Sequence, residues 1–314
     1  MIKKYGGIIA LAIAVLCWGP APVVSKLALA EIPELSFAFL SRSLAFTILV
    51  LVFLPKGYFK IERRDLPIFF LAGLTGAVLN VGFFLYGLQH TTAMNSQVIF
   101  TIAPIITAIF AHFLLRERIK LVQSFAIAIG FIGAIIISLQ DFFETGSFNS
   151  GNMIGNFFVF LAAVSWVAYI LISKKLSKKY SPITITCYSF MIASFVFAPL
   201  ALFENRNGLV WISSLGVAGI FGIIYQAIFA SVIAFLAYQT GLKLTSAFTA
   251  GVILYLNPII TVVVAYFFIG EKITPVFLIG TVFIIIGSLI ATQYETLKYH
   301  AGKRWGRINS EINL

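Results

Sequence analysis

The sequence contains few charged side chains. Only 11% of its 314 residues are charged, while 60% are hydrophobic. An ordinary soluble domain carries about 25% charged residues. A water-soluble fold of this length needs a charged exterior that these residues cannot supply. The scarcity of charge therefore excludes an ordinary soluble protein and indicates a chain that lies in a lipid bilayer.

Residues that carry catalytic or metal chemistry are also scarce. The chain has 11 acidic residues, three histidines and two cysteines. It contains no HExxH motif and no Cys/His cluster, so the sequence predicts no enzyme and no cofactor. All the acidic residues fall in loops or at helix ends, which leaves no buried carboxylate as a proton relay. Facilitated diffusion or exchange therefore fits better than coupling through a buried acid.

Long hydrophobic runs occupy most of the chain. A helix needs about 20 apolar residues to cross a bilayer core of about 30 Å. Runs of this kind predict ten transmembrane helices near residues 7–28, 34–54, 67–88, 94–115, 121–140, 152–173, 182–203, 213–240, 247–269 and 275–296. The first residues of the 213–240 run can also be read as a loop. The predicted fold class is an all-α integral membrane protein.

The positive residues predict the orientation of these helices. The net charge of +11 would suggest nucleic acid in a soluble protein, but Lys and Arg lie between the apolar runs and predict no such partner. Only Arg206 and Lys272 fall in the gaps on one side, and Lys26 and Arg42 fall inside helices. The other 18 of the 22 basic residues lie on the opposite side, which should be cytoplasmic. We therefore expect a multi-pass protein of the cytoplasmic (inner) membrane with both termini inside.

The two halves of the chain are similar to each other. The matches at an offset of 154 residues are Gly87-Leu88 with Gly241-Leu242, Thr91-Thr92-Ala93 with Thr245-Ser246-Ala247, Pro104-Ile105-Ile106-Thr107 with Pro258-Ile259-Ile260-Thr261, Glu117-Arg118-Ile119 with Glu271-Lys272-Ile273, and Gly133 with Gly287. Trp18 matches Trp166 at an offset of 148. Five helices per half, an odd number, require the second half to be inverted relative to the first.

This repeat predicts the domain organisation. Residues 1–140 form the first five-helix repeat, 141–150 an external linker, 151–297 the inverted second repeat, and 298–314 a basic cytoplasmic tail. Inverted repeats are how transporters build two related gates around one central site. The repeat therefore favours a transporter over a structural or signalling membrane protein, which stays open as a different class.

The matched residues resemble the drug/metabolite transporter superfamily, specifically its EamA-like ten-helix branch. The resemblance rests on Trp18-Gly19, Lys26, Pro33 with Arg42, the Thr-x-Ala starts and midspan prolines of helices 4 and 9, and Gly270-Glu271. The first half departs from the pattern, with Arg116 before Glu117 where Gly is usual. The resemblance implies a carrier whose helices 1, 3, 4, 6, 8 and 9 line a central cavity. It also implies export of amino acids or other metabolites, or import or exchange of small solutes.

Polar and aromatic residues inside the predicted helices are the candidates for that cavity. Amides in lipid would lack partners and should face the protein interior, although they can equally serve as ties between helices. Trp18 and Trp166 occupy matched positions away from the membrane interfaces and suit an amphipathic solute. The predicted substrate-binding residues are Trp18, Asn80, Gln97, Trp166, Tyr169, Gln226, Tyr238 and Asn257.

Two basic residues inside helices are candidates for a gate or an anion contact. Lys26 lies near the outer end of its helix, where it can also serve as an anchor. Arg42 lies about 12 Å deep at 1.5 Å per residue, too deep for easy snorkelling. It can tie helices through backbone carbonyls or contact an anion.

The predicted function is movement of a small metabolite, most directly an amino acid or a related amphipathic solute, by export or exchange through alternating access. The alternative is an importer or exchanger of a vitamin, nucleoside, sugar or phosphorylated solute. A phosphorylated solute would require several basic residues in the cavity, and only Arg42 and Lys26 qualify. The expected partners are the solute and the lipid bilayer, with a homodimer left open.

Overall fold

The computed structural model describes residues 2–53, 60–103, 105–106, 110, 121–146, 150–244, 253–254, 256–287 and 289–290. Helices dominate these residues, and no strand occurs among them. The predicted tail 298–314, Pro104, Glu117 and the matched segment 245–247 lie outside the described residues.

We number the main helices in chain order. Helix α1 has two parts, Ile2–Trp18 and Ala21–Leu29. The others are α2 (Glu34–Phe53), α3 (Arg63–His90), α4 (Ala93–Phe100), α5 (Leu121–Ser138), α6 (Ser150–Leu176), α7 (Pro182–Glu204), α8 (Val217–Leu244), α9 (Leu256–Ile269) and α10 (Pro275–Gly287). In the described part of the chain, α1, α2, α3, α6, α7 and α8 are long and apolar enough to cross a membrane.

Helix α8 starts later than the apolar run that predicted it. Val210–Ser214 form a 3₁₀ turn, and α8 begins at Val217. The carboxylate of Glu31 accepts hydrogen bonds from the backbone N–H groups of Gly216 (2.9 Å) and Gly219 (2.7 Å). The start of α8 is therefore defined by a cap from a distant loop, because the first N–H groups of a helix need partners outside the helix.

Helix α1 is interrupted at Gly19-Pro20. Proline has no N–H and disrupts the helical ladder. The hydroxyl of Thr261 in α9 donates to the Gly19 carbonyl oxygen at 2.5 Å. A Cβ on Gly19 would lie 2.5 Å from the Ile260 side chain, so only glycine allows α9 to pack this closely against the break.

Two of the long helices contain a π-helical turn in the middle. The turns are Leu74–Leu79 in α3 and Ile228–Ile233 in α8. Their starting residues are 154 apart, the offset of the sequence repeat. Single π turns inside α-helices occur frequently at functional sites.

Three pairs of helices pack closely against each other. Helix α3 packs on α6, α8 packs on α1, and α2 packs on α7. Glycines make these approaches close: a Cβ on Gly87 would lie 2.7 Å from the Gly155 carbonyl oxygen, and a Cβ on its match Gly241 would lie 2.5 Å from Leu11. In the predicted repeat, α3 corresponds to α8 and α1 corresponds to α6. The α3–α6 pair therefore corresponds to the α8–α1 pair.

Three glutamates at one end of the bundle each cap the N-terminus of a helix that is distant in the chain. Glu31 caps α8, Glu204 caps α2 and Glu271 caps α4, each through two backbone N–H groups. A carboxylate at a helix N-terminus also interacts favourably with the helix dipole. These caps join the loops of the two halves to each other.

A group of charged residues lies at the opposite end. We call Glu62, Arg64, Asp65, Lys179 and Tyr180 the polar loop cluster. The Lys179 ammonium lies 2.5 Å from Glu62 and 2.7 Å from Asp65. The hydrogen bond from Lys179 lowers the pKa of Glu62, and the bonds to Asp65 and Glu62 raise the pKa of Lys179. The cluster joins the start of α3 to the loop between α6 and α7.

Candidate functional site

Five aromatic side chains from α1, α6 and α8 meet inside the bundle. We call Trp18, Trp166, Tyr169, Phe235 and Tyr238 the aromatic cluster. The two indoles are edge to face, with centroids 5.6 Å apart. Both contact Phe235, at 5.5 Å each, and Tyr238, at 5.3 and 5.6 Å. The structure thus brings four of the predicted site residues into contact, and Phe235 is a member that sequence reasoning missed.

Hydrogen bonds and close packing hold the cluster in place. The indole N–H of Trp18 donates to the Ala230 carbonyl oxygen, in the π turn of α8, at 2.8 Å. The Gln239 amide donates to the Tyr169 hydroxyl at 3.0 Å. The Tyr169 ring packs against Gly76, in the π turn of α3. A Cβ at residue 76 would lie 2.3 Å from that ring. Both π turns therefore contact the cluster.

Three of the four predicted amides separate into two kinds. Asn80 donates to the Ala162 carbonyl oxygen at 2.9 Å and so ties α3 to α6. By contrast, the buried side-chain oxygens of Gln226 and Asn257 have no hydrogen-bond partner in the part of the chain that the structure describes. A buried unsatisfied polar group costs about 1–3 kcal/mol. These two oxygens are therefore available to a polar group of a solute.

Helices α4 and α9 lie beside the aromatic cluster. Phe100 in α4 contacts Trp166, with centroids 6.5 Å apart, and Gln97 is buried about one turn before it. In α9, Asn257 lies about one turn before Thr261, which bonds the Gly19 carbonyl next to Trp18. The amides of Gln97 and Asn257 are thus near the cluster along the helices, although neither makes a hydrogen bond to its rings.

Lys26 joins three segments at one end of the bundle. Its ammonium donates to the Thr91 carbonyl oxygen at 2.6 Å and to Glu271 at 3.3 Å. Glu271 also accepts the backbone N–H groups of Ala93 (2.7 Å) and Met94 (2.9 Å). We call these five residues the Glu271 latch. The latch connects α1 and the start of α4 to the loop after α9.

Arg42 is the most deeply buried basic residue in the described part of the chain, with 1% of its surface exposed. Its guanidinium donates to the Ser231 hydroxyl in the π turn of α8 and lies 5.5 Å from the ring centroid of Phe190. Its Nε has no hydrogen-bond partner within the described ranges. No described carboxylate forms an ion pair with it. Arg42 ties α2 to α8 through a hydroxyl and not through the backbone carbonyls that were expected, and the anion contact stays a prediction.

Comparison with known proteins agrees with this architecture. A model of the EamA-like transporter family matches residues 5–139 and, a second time, residues 153–293. The chain belongs to the EamA-like transporter family. The two matched segments correspond to the two halves of the sequence repeat. This EamA-like transporter is therefore a multi-pass membrane protein and not an enzyme.

Individual relatives of this EamA-like transporter are also transporters. An "Uncharacterized transporter" of Clostridium kluyveri is 31% identical over 231 residues, 74% of this chain and 73% of that protein. A "Probable terminal-alkyne amino-acid exporter" of Streptantibioticus cattleyicolor is 25% identical over 239 residues, 76% of this chain and 77% of that protein. A protein of known crystal structure has the same fold, with a TM-score of 0.64 and 16% identity over 92% of this chain and 96% of its own.

Proposed function

We propose that this EamA-like transporter is a secondary transporter of an amino acid or a related amphipathic solute, by export or exchange. The observation that carries the proposal is the contact between Trp18 and Trp166, matched residues of the two halves, with unpaired amide oxygens on neighbouring helices. An aromatic wall suits the apolar body of a solute, and the free oxygens suit its polar groups. The amino-acid exporter among the relatives has the same kind of cargo in its name.

The architecture that we propose has ten transmembrane helices in two inverted five-helix repeats. The repeats are residues 1–140 and 151–297, joined by an external linker at 141–150 and followed by a cytoplasmic tail. The equal offset of the two π turns and the packing of α3 on α6 and α8 on α1 support this arrangement. In the cytoplasmic membrane, the distribution of Lys and Arg would keep both termini inside.

The proposed cavity lies between the matched helices near the middle of the membrane. Inverted symmetry makes the midplane the one depth that both halves share. The Glu271 latch would close the cavity on the outer side of the membrane, and the aromatic cluster would line its inner end. The proposed lining residues are Trp18, Asn80, Gln97, Trp166, Tyr169, Gln226, Tyr238 and Asn257, with Lys26 in the gate.

Counterflow in proteoliposomes tests the proposal. The purified protein is reconstituted, and a panel of amino acids, nucleosides and vitamins is tested for saturable exchange. We expect amino acids to exchange. Replacing Gln226 or Asn257 by Ala should weaken solute affinity by about two- to tenfold, because one polar contact contributes about 0.5–1.5 kcal/mol.

A lipid-facing substitution provides the control. Ile135 in α5 is 55% exposed on the apolar surface, so Ile135→Ala should leave exchange unchanged at matched protein levels. If Trp18→Ala and Trp166→Ala change solute exchange no more than the control does, the tryptophans only pack the bundle. If a vitamin or nucleoside exchanges saturably and no amino acid does, the substrate belongs to the alternative class and not to the amino acids.

A further inference from the structure

Arg42 is a buried cation whose charge is not neutralised by any described carboxylate. It is 1% exposed and, within the described residues, makes one hydrogen bond, to Ser231. A guanidinium has five N–H donors, so most of its capacity is unused. Burying a charge without a partner is costly, and such charges are normally paired. The position therefore calls for an anion that the described residues do not supply.

The surroundings of Arg42 connect it to the aromatic cluster. Arg42 and Trp18 bond consecutive residues of the same π turn, through the Ser231 hydroxyl and the Ala230 carbonyl oxygen. Phe190 lies between the two sites, 5.5 Å from the guanidinium carbon and 5.1 Å from the Phe235 ring centroid. An anion at Arg42 would thus lie next to a surface that accepts an apolar group.

Ser231 connects Arg42 to the residue that carries an unpaired oxygen. Its hydroxyl accepts a hydrogen bond from Arg42 and donates to the backbone carbonyl oxygen of Gln226 at 2.5 Å. The side-chain oxygen of Gln226 is buried and has no hydrogen-bond partner among the described residues. Arg42, with free donors, and Gln226, with a free side-chain acceptor, are therefore both linked to Ser231. These two groups complement the carboxylate and the ammonium of a zwitterion.

We infer that Arg42 binds the carboxylate of the transported solute and that Ser231 holds its place while the site is closed. The inference rests on the proposed transport function and narrows its substrate class to α-amino acids with an apolar or aromatic side chain. The Ser231 oxygen is a neutral acceptor in the position that a carboxylate oxygen takes in the loaded state. A carboxylate can accept two parallel N–H bonds from the guanidinium, which the hydroxyl cannot.

The test compares a carboxylate with its amide on the full-length protein in proteoliposomes. The probes are L-leucine and L-phenylalanine, their carboxamides, and uridine as a solute without a carboxylate. We expect wild-type protein to exchange the acids with about tenfold or higher affinity than the amides. Arg42→Gln should remove this preference by weakening the acids alone, and Arg42→Lys should restore part of it.

Ser41→Ala is the matched control, because Ser41 precedes Arg42, is fully buried, and bonds only carbonyl oxygens of its own helix, at 2.7 and 3.2 Å. It should leave the ratio of acid to amide unchanged. Equal losses for acid and amide in Arg42→Gln and Arg42→Lys would make Arg42 a helix tie and overturn the inference. So would equal wild-type exchange of acids and amides. Exchange of uridine alone would overturn the inference and keep the transporter, whereas no exchange of any panel solute would overturn both.

Discussion

Replacing Glu271 by Ala should open one end of the bundle. The substitution removes the acceptors for two N–H groups at the start of α4 and the ionic partner of Lys26. Loss of an N-cap costs about 1 kcal/mol, and loss of a charge at a helix N-terminus about 0.3–1 kcal/mol. The ion pair adds little, since the Lys26 side chain is 32% exposed. The closed arrangement should lose about 2 kcal/mol, a shift of roughly 30-fold in the equilibrium.

The assay is maleimide labelling of Met94→Cys in a protein whose Cys17 and Cys187 are replaced by Ala. Met94 is 2% exposed in the closed latch, so its cysteine should react slowly until the latch opens. We expect Glu271→Ala to raise the labelling rate by roughly 30-fold and Glu271→Gln, which keeps one acceptor oxygen, to raise it less.

Glu204→Ala is the matched control for the loss of a helix cap. Glu204 caps α2 in the same way, through Leu35 (3.1 Å) and Ser36 (2.8 Å), and its hydrogen bonds in the described part of the chain do not reach α4. It should leave the labelling of Met94→Cys unchanged. An equal rate increase in both variants, or none in Glu271→Ala, would refute the idea that the Glu271 latch closes this end.

Two further predictions concern other parts of the bundle. Gly76→Ala should displace the Tyr169 ring and weaken solute exchange, because its Cβ would lie 2.3 Å from that ring; overpacking typically costs about 1–3 kcal/mol of stability. Gly82→Ala in the same helix should have neither effect in melting and exchange measurements, since its Cβ meets nothing closer than 3.7 Å. In the polar loop cluster, the lowered pKa of Glu62 stabilises the folded state at pH values above the ordinary pKa of a glutamate. The raised pKa of Lys179 stabilises it at pH values below the ordinary pKa of a lysine. The destabilisation by Lys179→Met, read by thermal melting, should therefore be constant between about pH 5 and 9. It should shrink in acid, where Glu62 and Asp65 are protonated, and above about pH 10, where the lysine of the unfolded chain loses its proton before the folded one does. A steady change across about pH 5 to 9 would contradict this assignment.

Part of the candidate site could be predicted from the repeat. Trp18 and Trp166 were predicted as a pair because they match between the halves, and they are in contact. Phe235 could not be singled out among 32 phenylalanines, since nothing in its sequence neighbourhood distinguishes a packed ring from a lipid-facing one. The partner of Lys26 was also missed, because Glu271 lies 245 residues away.

The amides illustrate the same limit. Asn80 and Gln226 are both midspan amides, and polarity alone predicts that each faces the interior. The structure separates them: the amide of Asn80 is bonded to a carbonyl of α6, and the side-chain oxygen of Gln226 has no partner among the residues that the structure describes. Which of them is free depends on the rotation of each helix about its axis. The sequence does not specify this rotation, because the helices are apolar on all sides.

The sequence by itself determined the helical, membrane-embedded character of the chain and the offset that relates its halves. Long runs with few charges leave no alternative, because backbone groups in lipid must bond within their own helix. The tertiary structure decided where α8 begins, through Glu31, and which residue Arg42 touches, through Ser231 at a separation of 189 residues. These contacts form between helices distant in the chain, where close approach at glycines and caps from other loops, and not local periodicity, bring the polar groups together.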